Sequence, residues 1–443
     1  MRTSYFDYAN IFIQGPLGRN RKRSGSPAYG IGTQTTSAKG QPRLKILQVH
    51  NFYQWAGGED VVVASERVLL EDAGHEVELY AVDNSTISGV QAKINAFRKA
   101  AYNREARFRL WRFLKEFRPD LVHVHNFYPL LSPSIYDACA DWHIPVVQTL
   151  HNYRTFCAAT TLFRAGKVCE LCLDGHSYHA ILHRCYRGSF IGSVATAHMI
   201  AYHRRRRTWS TAVARFIALT SFARDKFIEA GFPKDRLSIK PNFTADPGIL
   251  NPSDRQGALF VGRLSAEKGV SILLKAWTNI SHQLRILGDG PQNNSLRASA
   301  TPNVFFEGQV GKDRVQSAMQ SARFILLPSL WYEGLPMTVI EAFANGLPVV
   351  ASRLGAFPEL IEDGVTGRLF SPGDAGELER VIQELLGNPA LLQSMSDAAR
   401  RRYEMEYTMD RNKKLLLTIY DEAITEKRNA VQSAMISKSL SKS

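Results

Sequence analysis

The 443 residues, 44% hydrophobic and 22% charged, exclude a disordered or fibrous chain and are enough for two domains with full cores. The net charge of +14 is lopsided: residues 1–240 hold 33 Lys and Arg against 19 Asp and Glu, whereas residues 241–443 hold 22 of each. An anionic partner is therefore expected on the N-terminal half, with an acidic membrane surface and nucleic acid as the candidates.

Residues 1–43 carry Gly15-Pro16, the basic run Arg19 to Arg23 and a Gly/Ser/Thr/Gln-rich stretch to Pro42. No periodicity persists there, so a disordered basic extension is expected. The first residues lack the apolar core of a signal peptide. The least charged long run, Gly188 to Tyr202, is too short and too polar to span a bilayer. The expected location is cytoplasmic, peripheral on the inner face of the membrane.

Leu44 to Val49 reads as a strand, His50 and Gly57-Gly58 follow in a loop, and Glu59 to Ala73 reads as a helix ended by Gly74. Val77 to Val82, Leu121 to His125 and Pro145 to Leu150 are further buried strands separated by helical patterns. The second half repeats the theme with strands at Ala258 to Val261, Leu284 to Leu287, Val304 to Phe306, Phe324 to Leu327 and Pro348 to Ala351. Such alternation predicts an α/β protein with two Rossmann-like, doubly wound parallel sheets facing a cleft. Ligands of these sheets bind beyond the C-terminal strand ends. The expected domains are residues 44–245 and 246–405, a helix over 406–427 returning to the first domain, and a polar tail over 428–443.

Three stretches of the second half carry chemistry. Gly262-Arg263-Leu264-Ser265-Ala266-Glu267-Lys268-Gly269 follows a strand and presents two cations suited to clamp a diphosphate. Gly288-Asp289-Gly290-Pro291 is a turn at the next strand end, not a dinucleotide fingerprint, because the third glycine is absent. Ser329 to Ser352 reads strand-end loop, then helix from Pro336 to Ala344, then strand. It places Glu333 before the helix and Glu341 inside it. The helix start offers unpaired N–H groups and the positive dipole end to a phosphate.

In that order and on strand ends, Arg263 and Lys268, Gly288 to Pro291, and Glu333-Gly-Leu-Pro…Glu341-Ala resemble the retaining glycosyltransferases of family 4, which have the GT-B fold. The resemblance runs from Leu44 to about Lys427. It implies transfer of a sugar from a nucleoside-diphosphate-sugar to a lipid-linked or saccharide acceptor, in the setting of surface polysaccharide assembly. By the same resemblance Arg263 and Lys268 bind the donor diphosphate, Glu341 the ribose hydroxyls, and Glu333 the donor sugar. Backbone at Gly334, Leu335 and Thr338 faces sugar and phosphates, and Val310 lies near the base. Gly57 and Gly58 match the glycine loop on the acceptor and donor sides. His151 contacts the donor sugar and assists the reaction, while His125 shapes the acceptor side. No Asp-x-Asp pair occurs; the helix end and two cations are expected to neutralise the leaving nucleotide, with no cofactor required for catalysis.

Cys157-x11-Cys169-x2-Cys172-x12-Cys185 fits a tetrahedral structural zinc, with free thiols in a loop-rich insertion as the plainer reading. Phe97 to Arg118 is helical in pattern and carries eight cations among Phe, Leu and Trp, and Arg204 to Arg207 is a second basic run. Both suit anionic lipid. Two rivals remain at this level: a nucleotide-sugar epimerase of the same fold, and a zinc-stabilised nucleic-acid-binding protein. The neutral second half and the lack of a nucleic-acid motif argue against the second.

Overall fold

The computed structural model describes residues 43–54, 57–248 and 255–440; most of the expected extension over 1–43 lies outside them. The chain builds two six-stranded, all-parallel sheets, in the orders β2-β1-β3-β4-β7-β8 and β11-β10-β9-β12-β13-β14. The first sheet comprises β1 (Lys45–Phe52), β2 (Glu76–Asp83), β3 (Leu121–Val124), β4 (Val146–Leu150), β7 (Arg215–Ala218) and β8 (Leu237–Ile239). Between β4 and β7 lies a small antiparallel hairpin, β5 (Phe163–Arg164) and β6 (Lys167–Val168). The second sheet comprises β9 (Ala258–Val261), β10 (Leu284–Leu287), β11 (Val304–Gly308), β12 (Phe324–Leu327), β13 (Val349–Ser352) and β14 (Gly367–Phe370).

Every residue of β3, β4, β12 and β13 is buried. These strands read as unbroken apolar runs because helices cover both faces of a parallel sheet. Strand order reverses beside β1 and β3 in one sheet and beside β9 and β12 in the other. The loops after β1, β3, β9 and β12 therefore open at the two switch points, where crevices form.

Several expectations need correction. The sheets gain β7, β8 and β14, strands of three or four residues that are too short for their alternation to be read. The basic segment Phe97 to Arg118 is two helices, Gly89–Lys99 and Arg104–Phe117. Asn103 breaks it by capping the second helix, its side chain accepting from the Ala106 N–H at 3.1 Å. Pro336 is the cap of the helix Met337–Ala344, one residue before its first turn. After Asp374 three helices follow, Ala375–Gly387, Pro389–Glu406 and Met409–Leu440. The last runs past the expected tail boundary at Lys427, since no Gly or Pro occurs between Met409 and Leu440. Its residues Leu416, Ile419, Tyr420, Ala423 and Ile424 pack against Leu44, Ile46, Leu70, Val147 and Ile217 of the first domain.

The domains also touch across the cleft. The Glu359 carboxylate accepts from the backbone N–H groups of Ser221 (2.8 Å) and Phe222 (3.0 Å). An anion thus sits on the positive end of the helix Ser221–Glu229. Thr220 Oγ1 donates to the Gly334 carbonyl at 3.2 Å, and Phe222 meets Tyr332 edge to face, 4.8 Å between centroids.

Candidate active site

The second domain's half of the cleft is made by two laced loops. Gly269 has φ +67°, and a Cβ there would lie 1.9 Å from the Pro328 carbonyl; only glycine lets the loop after β9 turn against the end of β12. Leu330 N–H donates to the Glu267 carbonyl at 2.8 Å. The result brings Lys268 Nζ to 2.6 Å from Glu333 Oε1, which also accepts from Ser329 Oγ at 2.8 Å. Glu333 is buried, 6% exposed, so its charge is matched inside the protein. The family resemblance gives Lys268 to the phosphates and Glu333 to the sugar; the structure pairs the two side chains with each other.

Arg263, in contrast, is exposed and makes no ion pair among the described residues. Gly288 and Gly290 hold up its loop. A Cβ at either would lie 1.9 Å from the Gly262 carbonyl or 2.4 Å from that of Leu264, so this turn is packing for the clamp. Glu341 sits in the helix Met337–Ala344, half-buried, and its carboxylate makes no hydrogen bond or ion pair among the described residues. Burial pushes its carboxyl above the usual range, and nearby Lys312 opposes this. An acceptor held out of water without a partner is suited to hydroxyl donors. Val310, in the loop after β11, packs on the same hydrophobic cluster as Leu335, Val339 and Met337, which gives that end of the site an apolar wall.

From the first domain, Gly57 caps the helix Gly58–Asp72. A Cβ on Gly58 would lie 3.7 Å from Met337 Cγ. The N-termini of two helices, one per domain, therefore face each other with Leu335, Thr338 and Gly334 at the same mouth. Each helix start offers its dipole end and first-turn N–H groups there, with Glu59 and Asp60 in the first turn of the helix Gly58–Asp72. The backbone carbonyl of His151 lies 3.6 Å from where a Gly334 Cβ would be, which puts His151 against the Glu333 loop. His151 Nε2 is 3.1 Å from His125 Nδ1. Burial lowers the pKa of both rings well below the ordinary value, so they act as neutral hydrogen-bonding groups at pH 7. His125 Nε2 lies 3.6 Å from Glu66 Oε2. That carboxylate favours the proton on His125 Nε2, which leaves Nδ1 to accept from His151 Nε2–H.

Sequence reasoning missed Glu66, Lys240, Glu59 and Asp60. Lys240 Nζ donates to Glu66 Oε1 at 2.7 Å, both fully buried. Asp60 Oδ1 is 2.7 Å from His50 Nε2. The Glu59 carboxyl is pushed up to about 8, by burial and then by Asp60 beside it; it accepts from Tyr53 Oη at 3.1 Å. On a helix that alternates Val, Leu and Glu, each of these acids reads as a solvated face. Only their tertiary partners, up to 174 residues away, mark them.

The four cysteines converge. Cys157, Cys169, Cys172 and Cys185 line one small cavity, and Cys139 is buried apart from them in the helix Ile135–Asp141.

Comparison with known proteins speaks to the family and the fold. A family model described as "Glycosyl transferases group 1" matches residues 255–388, and one described as "Glycosyl transferase 4-like domain" matches residues 57–242. The alpha-D-kanosaminyltransferase of Streptomyces kanamyceticus is 26% identical over 319 residues, 68% of this chain and 77% of that one. An uncharacterized glycosyltransferase of Methanocaldococcus jannaschii is 29% identical over 168 residues, 37% of this chain and about half, 48%, of its own length. Among solved structures, Anabaena HepE in complex with UDP-glucose superposes with a TM-score of 0.60 at 17% identity, covering 86% of this chain and 100% of that one.

Proposed function

Because the chain belongs to the group 1 glycosyl transferases and has the GT-B fold, we propose that it moves a sugar from a nucleoside-diphosphate-sugar to a saccharide or lipid-linked acceptor. The observation that carries this reading is the meeting of two helix N-termini in a cleft that also holds Arg263, which makes no ion pair among the described residues, and Lys268, which pairs with Glu333. Positive charge from both domains converges on the place a leaving diphosphate would occupy. UDP-glucose in the Anabaena relative supports a donor of this class. Glu341 receives the ribose hydroxyls, Glu333 the sugar, and Arg263, Lys268 and the helix ends the departing charge. Glu333 is held by Lys268 and Ser329 and is no free nucleophile, which favours same-face attack with retention. His151 abuts the sugar loop and donates or accepts as a neutral ring. The setting in surface polysaccharide assembly rests on the family resemblance alone.

The test is thermal stabilisation by a panel of nucleotide-sugars. A cognate donor at about a hundred times its Kd should add about 2.7 kcal/mol. Glu341→Ala should weaken donor binding by about 1.5–3 kcal/mol by deleting charged hydrogen bonds, and so remove half or more of that stabilisation. No stabilisation of the wild type by any donor would overturn the reading.

The same proposal places the acceptor side at an anionic membrane. No helix among the described residues is long and apolar enough to cross one. A groove of about 1210 Å³ in the first domain is lined by Arg98, Lys99, Arg104, Arg107, Arg206 and Trp111, among others. Phe108, Leu182, Phe190 and Ile191 stand exposed on the first domain. Part of the charge is already committed, since Arg107 pairs with Asp141 at 2.7 Å and Arg206 with Asp137 at 3.2 Å. Replacing Arg204, Arg205 and Arg207 by Ser should weaken pelleting with acidic liposomes roughly a hundredfold, at about 1 kcal/mol per cation; unchanged pelleting rejects the membrane.

A further inference from the structure

The segment from Cys157 to Cys185 lies in the wall of the cleft but has little secondary structure of its own. Five of the nine non-glycine residues with positive φ among the described residues fall in or just after it: Thr160, Leu162, Ala165, Arg184 and Arg187. Left-handed backbone at a β-branched threonine and a leucine persists only where something else fixes the chain. The hairpin β5–β6 delivers Cys169 directly after its second strand, and Cys169 N–H donates to the Leu162 carbonyl at 2.8 Å. A turn with Leu173 N–H on the Glu170 carbonyl (3.0 Å) then presents Cys172. Cys157 arrives from the loop after β4, and Cys185 follows the short helix Tyr178–Leu182. These four cysteines line one small pocket of about 20 Å³, the size of an atom or a single water; among the described residues no three of their sulfurs lie within 4.8 Å of one another, so a metal would draw them together. Arg164 lines the same void, and its Nε is buried with no hydrogen-bond partner.

We propose that Cys157, Cys169, Cys172 and Cys185 bind one structural zinc ion, with Arg164 offsetting the charge of the tetrathiolate. Four sulfurs from three separate pieces of chain, one of them the Cys169-x2-Cys172 turn, suit the closed tetrahedral sites of structural zinc. Binding releases the four thiol protons and leaves a cluster of net charge −2, which an unpartnered guanidinium then faces. The ion also has a consequence for the cleft. Glu170, between the two middle ligands, places Oε1 2.8 Å from Lys226 Nζ, and Lys226 lies 5.8 Å from the centre of the Tyr332 ring. Tyr332 precedes Glu333. A metal that pins Cys169 and Cys172 would thereby brace the loop that carries Glu333, from outside the reaction itself.

The experiment is metal analysis of the full chain purified under reducing conditions. One zinc per chain is expected, released by a mercurial reagent in proportion to four thiols. Refilling with cobalt should give the visible absorption of tetrahedral thiolate-bound cobalt. Cys172→Ser should lose the zinc, while Cys139→Ser, and His179→Ala at the rim of the void, should keep it. If Cys172→Ser does not fold, the release and cobalt measurements on the wild type stand by themselves. Protein that takes up no zinc when zinc is supplied, or four thiols blocked as disulfides, overturns the proposal. Nucleotide-sugar binding is a separate readout, so failure here leaves the proposed transfer untouched.

Discussion

Replacing Lys268 by alanine should lower kcat about 10²–10³-fold, the loss that follows removal of one preorganised charge from a developing anion. The ammonium has two claims on it. It lies 2.6 Å from Glu333 Oε1, and it stands 5.4 Å from the centre of the Trp331 ring, so its position is fixed before the donor binds. As the sugar–phosphate bond breaks, negative charge grows on the diphosphate, and a cation already held in place gains interaction without reorganising. Arg263 is exposed and unpaired, so it must be ordered by the donor itself. Its replacement by alanine should therefore act mainly on donor KM, as uniform binding does. Lys268→Arg should recover little, because the larger planar guanidinium, drawn into a bidentate pair with Glu333, does not place its charge where the compact ammonium stands. Steady-state kinetics with a cognate donor decides the matter. Should Lys268→Ala change only donor KM, the residue holds the ground state and the proposed role in the departing charge is wrong.

That pair also shows what a sequence can and cannot carry. Lys268 and Glu333 each sit in a glycine-marked loop after a short apolar strand, so their placement at the cleft is legible from local pattern. Their contact is not, because it depends on Gly269 packing against Pro328. The helix Met337–Ala344 could be read because a proline precedes it and Asn345-Gly346 stops it. The strands β7, β8 and β14 could not, since three or four residues of mixed character fix no period. The basic helices fell between these cases: eight cations dominated the pattern and concealed Asn103, a polar residue whose capping role needs the geometry of Ala106 and Leu130. Cysteine spacing suggested four ligands, while the hairpin and the void they share are tertiary facts.

The largest stability effect is expected at the cation no local pattern marked. Lys240→Met should destabilise the protein by about 3–5 kcal/mol, because it strands a buried carboxylate. Glu66 is fully buried; its Oε1 accepts from Lys240 Nζ at 2.7 Å, and its Oε2 lies 3.7 Å from His123 Nδ1 and 3.6 Å from His125 Nε2. Ligand atoms of Glu66, His123 and His125 are close enough together, within 4.8 Å, to resemble a metal site. Lys240 supplies that positive charge from the chain itself, and its ammonium also donates to Asn412 Oδ1 at 3.1 Å in the last helix. The pair thus ties the end of β8, the helix Gly58–Asp72 and the helix Met409–Leu440 into one unit. Burial holds His123 down to about 4 and His125 lower than its ordinary value, with Lys240 adding to both shifts. In the variant that opposition is gone, and a protonated ring can take over as partner to Glu66. A histidine whose pKa rises on folding stabilises at low pH and loses that contribution as pH climbs through its folded value. The defect of Lys240→Met should accordingly be smaller near about pH 6 than near about pH 8. Lys240→Met with Glu66→Leu should restore most of the loss at both, since a matched apolar pair leaves no charge unpaired. Denaturant unfolding of the three proteins at the two pH values tests this. A double variant as unstable as the single one would mean that packing around Lys240, and not its charge, joins the last helix to the first domain.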